Sequence, residues 1–140
     1  MRLLLAILAL GLGLPGCEDD TPAAGHPDGP LVTYEHGGGI AAQPRRLVID
    51  RDGHARLATT TGTTLSHRRF DLSPTQLADL EDELADARGD TDPDQPGGCA
   101  DCFTFSIEAD DIDVDLDQVS IEAATDGLRR LVATLERLSA

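Results

Sequence analysis

The chain has 140 residues, with 26 acidic against 11 basic side chains and a formal net charge of −15 at pH 7. That length supports one modest domain rather than two, and that charge excludes nucleic acid as a partner, because binding phosphates needs a basic footprint. The aromatic side chains are Tyr34, Phe70, Phe103 and Phe105, with no Trp, so the core is built from Leu, Val, Ile and Ala and is small.

The first element is an export signal. Met1-Arg2 leads an uninterrupted apolar stretch that ends at Leu14-Pro15-Gly16-Cys17. The stretch is shorter than the roughly 20 apolar residues a membrane span requires. Its ending resembles the bacterial lipobox, with leucine at minus three and glycine at minus one before a cysteine. The resemblance implies cleavage after Gly16, a lipid on Cys17, and anchoring to a membrane at the extracytoplasmic face of the cell envelope. Residues 1–16 are then a lipoprotein signal peptide. Residues 17–30 are the lipidated cysteine and a flexible acidic tether, since Pro, Gly and Asp interrupt any apolar periodicity there. One domain is expected over 31–140.

Residues 31–36 read as a strand, broken by Gly37-Gly38-Gly39. Two β-prone runs, 45–50 and 55–60, flank Arg51-Asp52-Gly53-His54, and an Asp-Gly in that setting predicts a hairpin. Gly62 turns the chain into a further strand over 65–71. A helix follows with every start and stop signal in place. Ser73 is the N-cap, Pro74 the first helical residue and Gln76 the partner in a capping box. Leu77, Leu80, Leu84 and Ala87 make one apolar stripe, Gly89 ends it, and Asp79, Glu81, Asp82, Glu83 and Asp86 face water.

After a Pro/Asp/Gly loop over 90–98, Phe103, Phe105 and Ile107 alternate along a strand. Asp110-Asp111 turns it, and Ile112, Val114 and Leu116 continue the alternation. A final helix from Thr125 presents Leu128, Leu131, Val132, Leu135 and Leu138. Four strands, a helix, two strands and a helix predict an α+β fold: an antiparallel sheet with two helices packed on one face.

The constellations that could carry chemistry are few. Cys99-Ala100-Asp101-Cys102 precedes a strand rather than heading a helix, so no helix dipole lowers a thiol pKa. In an oxidising compartment it reads as a local disulfide, with redox-labile thiols and metal ligation as the alternatives. Asp111, Asp113, Asp115 and Asp117 alternate on one strand, and Asp90, Asp92 and Asp94 alternate in the preceding loop. A solvated face that deters edge pairing is the plain reading of the strand set. Ca²⁺ binding by the Asp-rich loop and strand is the alternative, although side chains two apart on a strand are about 7 Å from each other and no EF-hand pattern is present. His36, His54 and His67 lie on different strands and would form a metal site only if the sheet order brought them together. Nucleophile-elbow, P-loop and dinucleotide signatures are missing from the sequence, and the chain is read as a non-enzyme that needs no cofactor. Gly37, Gly38, Gly39 and Ile40 form the loop of most interest, either a flexible linker or a binding loop carried on a rigid sheet.

The run Tyr34-Glu35-His36-Gly37-Gly38-Gly39-Ile40, the helix with Leu77, Leu80 and Leu84, the Phe103-Thr104-Phe105 strand and the closing 128–138 helix resemble the emfourin group. These are small bacterial proteins that inhibit thermolysin-like metallopeptidases. The resemblance spans about 31–138, and the lipobox, the tether and the Cys99/Cys102 pair depart from it. The resemblance implies a protein-binding domain whose partner is a metallopeptidase, and the departures imply a surface-tethered relative whose target need not be the family's. The other readings are a Ca²⁺-responsive envelope module and a purely structural surface lipoprotein.

Overall fold

The computed structural model describes residues 29–39, 43–89, 99 and 101–140. The signal peptide, Cys17, most of the tether, Ile40, Asp90, Asp92 and Asp94 lie outside the described residues. The elements in chain order are β1 (Val32–Gly38), β2 (Arg45–Ile49), β3 (His54–Thr61), β4 (Thr64–Asp71), α1 (Pro74–Ala87), β5 (Phe103–Ala109), β6 (Ile112–Asp117), α2 (Gln118–Ala123) and α3 (Asp126–Leu138). The six strands form one open antiparallel sheet in the order β4-β3-β2-β1-β5-β6.

Turn chemistry sets the hairpins. Gly53 adopts φ +87° between β2 and β3, and its N–H donates to the Asp50 carbonyl at 2.9 Å. Gly62 adopts φ +60° between β3 and β4, a region that L side chains avoid. Helix α1 starts as the sequence predicts. The Ser73 hydroxyl accepts from the Gln76 N–H at 3.3 Å, and the Gln76 side chain accepts from the Ser73 N–H at 2.9 Å. Two of the helix's unsatisfied donors are thereby paired.

Among the described residues the expected two helices are three. Asp117 ends β6 and also caps α2, accepting from the Val119 N–H at 3.0 Å and the Ser120 N–H at 2.7 Å. The chain breaks at Ala124, and Thr125 caps α3 through the Leu128 N–H. Among the described residues no helix is long and apolar enough to cross a membrane.

Strand alternation gathers the core. Val32, Tyr34, Leu47, Ile49, Leu57, Ile107, Val114 and Leu116 are buried and join Leu80 and Leu84 of α1 and Leu128, Leu131 and Leu135 of α3 in one cluster. Each fully buried Leu or Ile contributes about 1.5–3 kcal/mol, so this apolar layer is the main source of stability. The helices α1 and α3 meet where α3 has no side chain: a Cβ on Gly127 would lie 2.9 Å from the Asp86 carbonyl oxygen. Their outer rims are tied by Arg130 to Asp86 at 2.9 Å and by the Thr134 hydroxyl to Glu83 at 3.1 Å.

Candidate functional site

One end of the sheet concentrates the polar and conformationally demanding residues. Gly37 and Gly38 do not leave the sheet; they continue β1 opposite Thr104 and Phe103 of β5. Gly38 has φ +73° and Gly39 φ +71°. A Cβ on Gly38 would lie 2.4 Å from the Cys102 carbonyl oxygen and 3.1 Å from the Thr104 nitrogen, while one on Gly39 would meet the Phe103 ring at 3.1 Å. Gly38 is therefore required because the backbone of the β5 entry passes directly over it, and Gly39 because of its left-handed φ against the Phe103 ring.

The entry itself is fixed. The Cys99 and Cys102 sulfurs are 1.94 Å apart with Cα atoms 5.4 Å apart, a local disulfide bond. Its loop is so short that its stabilisation sits at or below the low end of the usual ~2–4 kcal/mol. Its effect is to set where the Cys102 carbonyl stands. The neighbouring Asp117 carboxylate is held below the usual carboxylate range, first by the Ser120 hydroxyl at 2.6 Å, then by the Ser120 N–H, with the N–H groups of Cys99 and Val119 adding to it. The glycine turn, the disulfide turn and the α2 cap thus form one continuous end, from which Phe103 stands 41% exposed.

Beneath this end lies a polar cluster at the edge of the core, where buried Tyr34 and His36 meet a half-buried Glu136. Tyr34 and His36 alternate on the buried face of β1 and both meet Glu136 of α3. The Tyr34 hydroxyl donates to Glu136 Oε1. His36 Nδ1 is 3.0 Å from the same oxygen but lacks hydrogen-bond alignment, and Nε2 has no partner among the described residues. The ion-pair distance and the unsatisfied ring nitrogens describe one contact, close yet misdirected. The imidazole stacks on Phe105 at 5.2 Å and meets the edge of Phe103 at 5.3 Å. Arg45 closes the group, donating to the Ser139 carbonyl at 3.3 Å.

Burial raises the Tyr34 pKa above its ordinary value of 10.0, and the hydrogen bond and charge of Glu136 raise it further. Tyr34 is thus a protonated donor to a carboxylate. Because the folded value is the higher one, its stabilisation is fully present below about pH 10 and is lost as pH climbs toward the folded value. Tyr34 is the only tyrosine in the chain. Wild-type urea midpoints should therefore fall steeply above about pH 10, and Tyr34→Phe should flatten that fall. At pH 7 the same variant should cost about 1.5–3 kcal/mol, the range for hydrogen bonds to charged groups. Equal high-pH slopes in the two proteins would contradict the assignment.

The other sequence-derived candidates separate. Asp111 lies in the β5–β6 turn with Arg88 Nε at 3.6 Å, and Asp117 is the α2 cap. Asp113 and Asp115 project from β6 on the face away from the core. His36 faces the core. His54 and His67 lie on the opposite face, where Asp71 at 2.6 Å and Asp52 at 3.4 Å flank His54. The Asp71 hydrogen bond and the two carboxylate charges raise the His54 pKa. Among the described residues, no three His, Cys, Asp or Glu side chains are grouped to hold a metal ion. Sequence reading missed the Tyr34–His36–Glu136 cluster; its only local signal is a Tyr and a His on the same face of β1. No protein-family model and no curated protein matches this chain.

Proposed function

We propose that the protein is a lipid-anchored, extracytoplasmic protein-binding domain whose contact surface is the glycine end of the sheet. The helices pack on one face of the sheet and form its rigid support. The lipid on Cys17 holds the domain to the membrane, and the tether sets its distance from the surface. Inhibition of a metallopeptidase is the sharpest form of this reading, and Gly37, Gly38 and Gly39 of the emfourin-like pattern belong to the proposed contact.

The observation that carries the reading is pre-organisation. Gly38 is held in a left-handed conformation under the Cys102 carbonyl, beside an exposed Phe103. A loop fixed before binding loses little conformational entropy on contact, so a small patch can bind well. An exposed aromatic beside it is the type of side chain that anchors interfaces.

The test titrates the full chain into a purified thermolysin-like metallopeptidase cleaving a peptide substrate. The inhibitor reading expects dose-dependent loss of cleavage. Phe103→Ala should weaken it at least about tenfold, equivalent to ~1.4 kcal/mol. Undiminished cleavage at every dose rejects the inhibitor form. Inhibition that Phe103→Ala and Gly37→Ala both leave unchanged rejects this end of the sheet as the contact.

A further inference from the structure

The sheet face opposite the core carries an ordered charge pattern that only the strand order reveals. Register places Arg69, Arg56, Val48, Thr33, Glu108 and Asp113 in one row across all six strands, from β4 to β6. Its charges run positive, positive, neutral, neutral, negative, negative. The adjacent row is His67, Ala58, Arg46, Glu35, Ser106 and Asp115. It repeats the polarity, with Arg46 on β2 and Glu35 on β1 paired at 3.3 Å. A trough of about 580 Å³ crosses this face, lined by Leu65, Arg46, Ser106 and Asp115 and, where it reaches the glycine end, by Gly37 and Asp117.

This pattern costs the isolated domain free energy. Arg56 stands directly opposite Arg69, and Glu108 directly opposite Asp113. Like charges facing each other across neighbouring strands are destabilising. Arg56 is partly relieved by Asp50 at 3.2 Å, whereas Arg69, Glu108 and Asp113 form no ion pair among the described residues. Both ends of the row hold repulsion, of opposite sign, and Asp50 relieves it only in part at the basic end.

We propose that this open face docks on the same face of a second copy of the chain. The row is antisymmetric about the boundary between β1 and β2. A two-fold axis parallel to the strands at that boundary lays β4 and β3 of one copy over β6 and β5 of the other. Arg69 then faces Asp113, Arg56 faces Glu108, His67 faces Asp115 and Arg46 faces Glu35, with every pairing made twice. Sheets stack about 10 Å apart, a gap that two extended side chains bridge. Antisymmetric rows are complementary to their own two-fold image, which is the condition for an isologous dimer; Asp71, beyond these rows on β4, is paired with His54. A uniformly acidic or basic partner would satisfy one half and repel the other.

The net charge of −15 opposes the approach of two copies at long range. At physiological ionic strength the Debye length is about 8 Å, so that repulsion is screened while pairs in contact are not. The face meets the glycine end at Gly37 and Asp117, but the two charged rows do not include them, and the inference stands or falls separately from the function proposed above.

The experiment is sedimentation equilibrium of the full chain in density-matched detergent at physiological salt, up to about 500 μM, where even a dissociation constant near 100 μM leaves most chains paired. Wild type is expected as a dimer. Arg56→Glu with Arg69→Glu makes every charge of the first row acidic, and Glu108→Arg with Asp113→Arg makes every charge of that row basic. Each double variant should be monomeric alone, and an equimolar mixture of the two should recover a dimer. Recovery on mixing is a result that misfolding cannot produce. If a double variant loses its native circular dichroism, Arg69→Glu and Asp113→Arg replace the doubles as single changes. A monomeric wild type overturns the proposal. So does a wild-type dimer that survives the charge changes, or a pair of variants that stay monomeric when mixed.

Discussion

Gly38→Ala is expected to lower the melting temperature by about 10–30 °C. An alanine in the left-handed region costs roughly 1–2 kcal/mol. Its Cβ would also be placed 2.4 Å from the Cys102 carbonyl oxygen, a backbone atom that cannot rotate away. Together these give about 2–4 kcal/mol, and each kcal/mol moves the midpoint of a domain this small by roughly 4–8 °C. The neighbouring Gly37→Ala is the control. Its Cβ would meet only Thr104 Oγ1, at an ordinary 3.5 Å, so its effect should stay within about 0.5 kcal/mol. Thermal melts of the two variants by circular dichroism decide the matter, and coincident curves would mean that the β5 entry yields freely.

Leu135→Ala is expected to cost about 2–5 kcal/mol, the range for deleting a buried leucine side chain. Leu135 is fully buried, in the cluster that joins α3 to the sheet. Urea unfolding should show a lower midpoint with an unchanged slope. The next residue, Glu136, accepts the Tyr34 hydroxyl, so loosening this turn of α3 should also weaken that bond. The Leu135→Ala, Tyr34→Phe double variant should then be less destabilised than the sum of the singles. Strict additivity would show that the packing and the hydrogen bond act independently.

Residues that signal locally were legible. The first helix was readable because Ser73, Pro74 and Gln76 announce its start within four positions, the β2–β3 hairpin because β-prone runs flank Asp52-Gly53, and β6 because Ile112, Val114 and Leu116 alternate with aspartates. Helix α2 escaped because it is six residues long and its capping box pairs Asp117 with Ser120 rather than with Glu or Gln. The polar cluster under the glycine end was not legible, since Glu136 lies far along the chain from Tyr34 and only packing brings them together. The charge polarity of the open face was hidden for a related reason. Each strand displays its own charges, but which strands are neighbours depends on β5 inserting beside β1, and no local signal specifies that.

That insertion governs the order in which the chain can become safe. The strand that enters first, β1, ends at the middle of the sheet, with β2 on one side and β5 on the other. Its pairing with β2 closes a short loop, and β2, β3 and β4 follow by successive hairpins. Its other edge waits for a partner much further along, since Tyr34 pairs with Ile107. Until β5 and β6 have been made, an intermediate carries Val32 and Tyr34 on an uncapped edge, a template for strand addition by another chain. Distant pairing of this kind slows folding relative to local hairpins, so it lengthens the window in which that edge needs a chaperone.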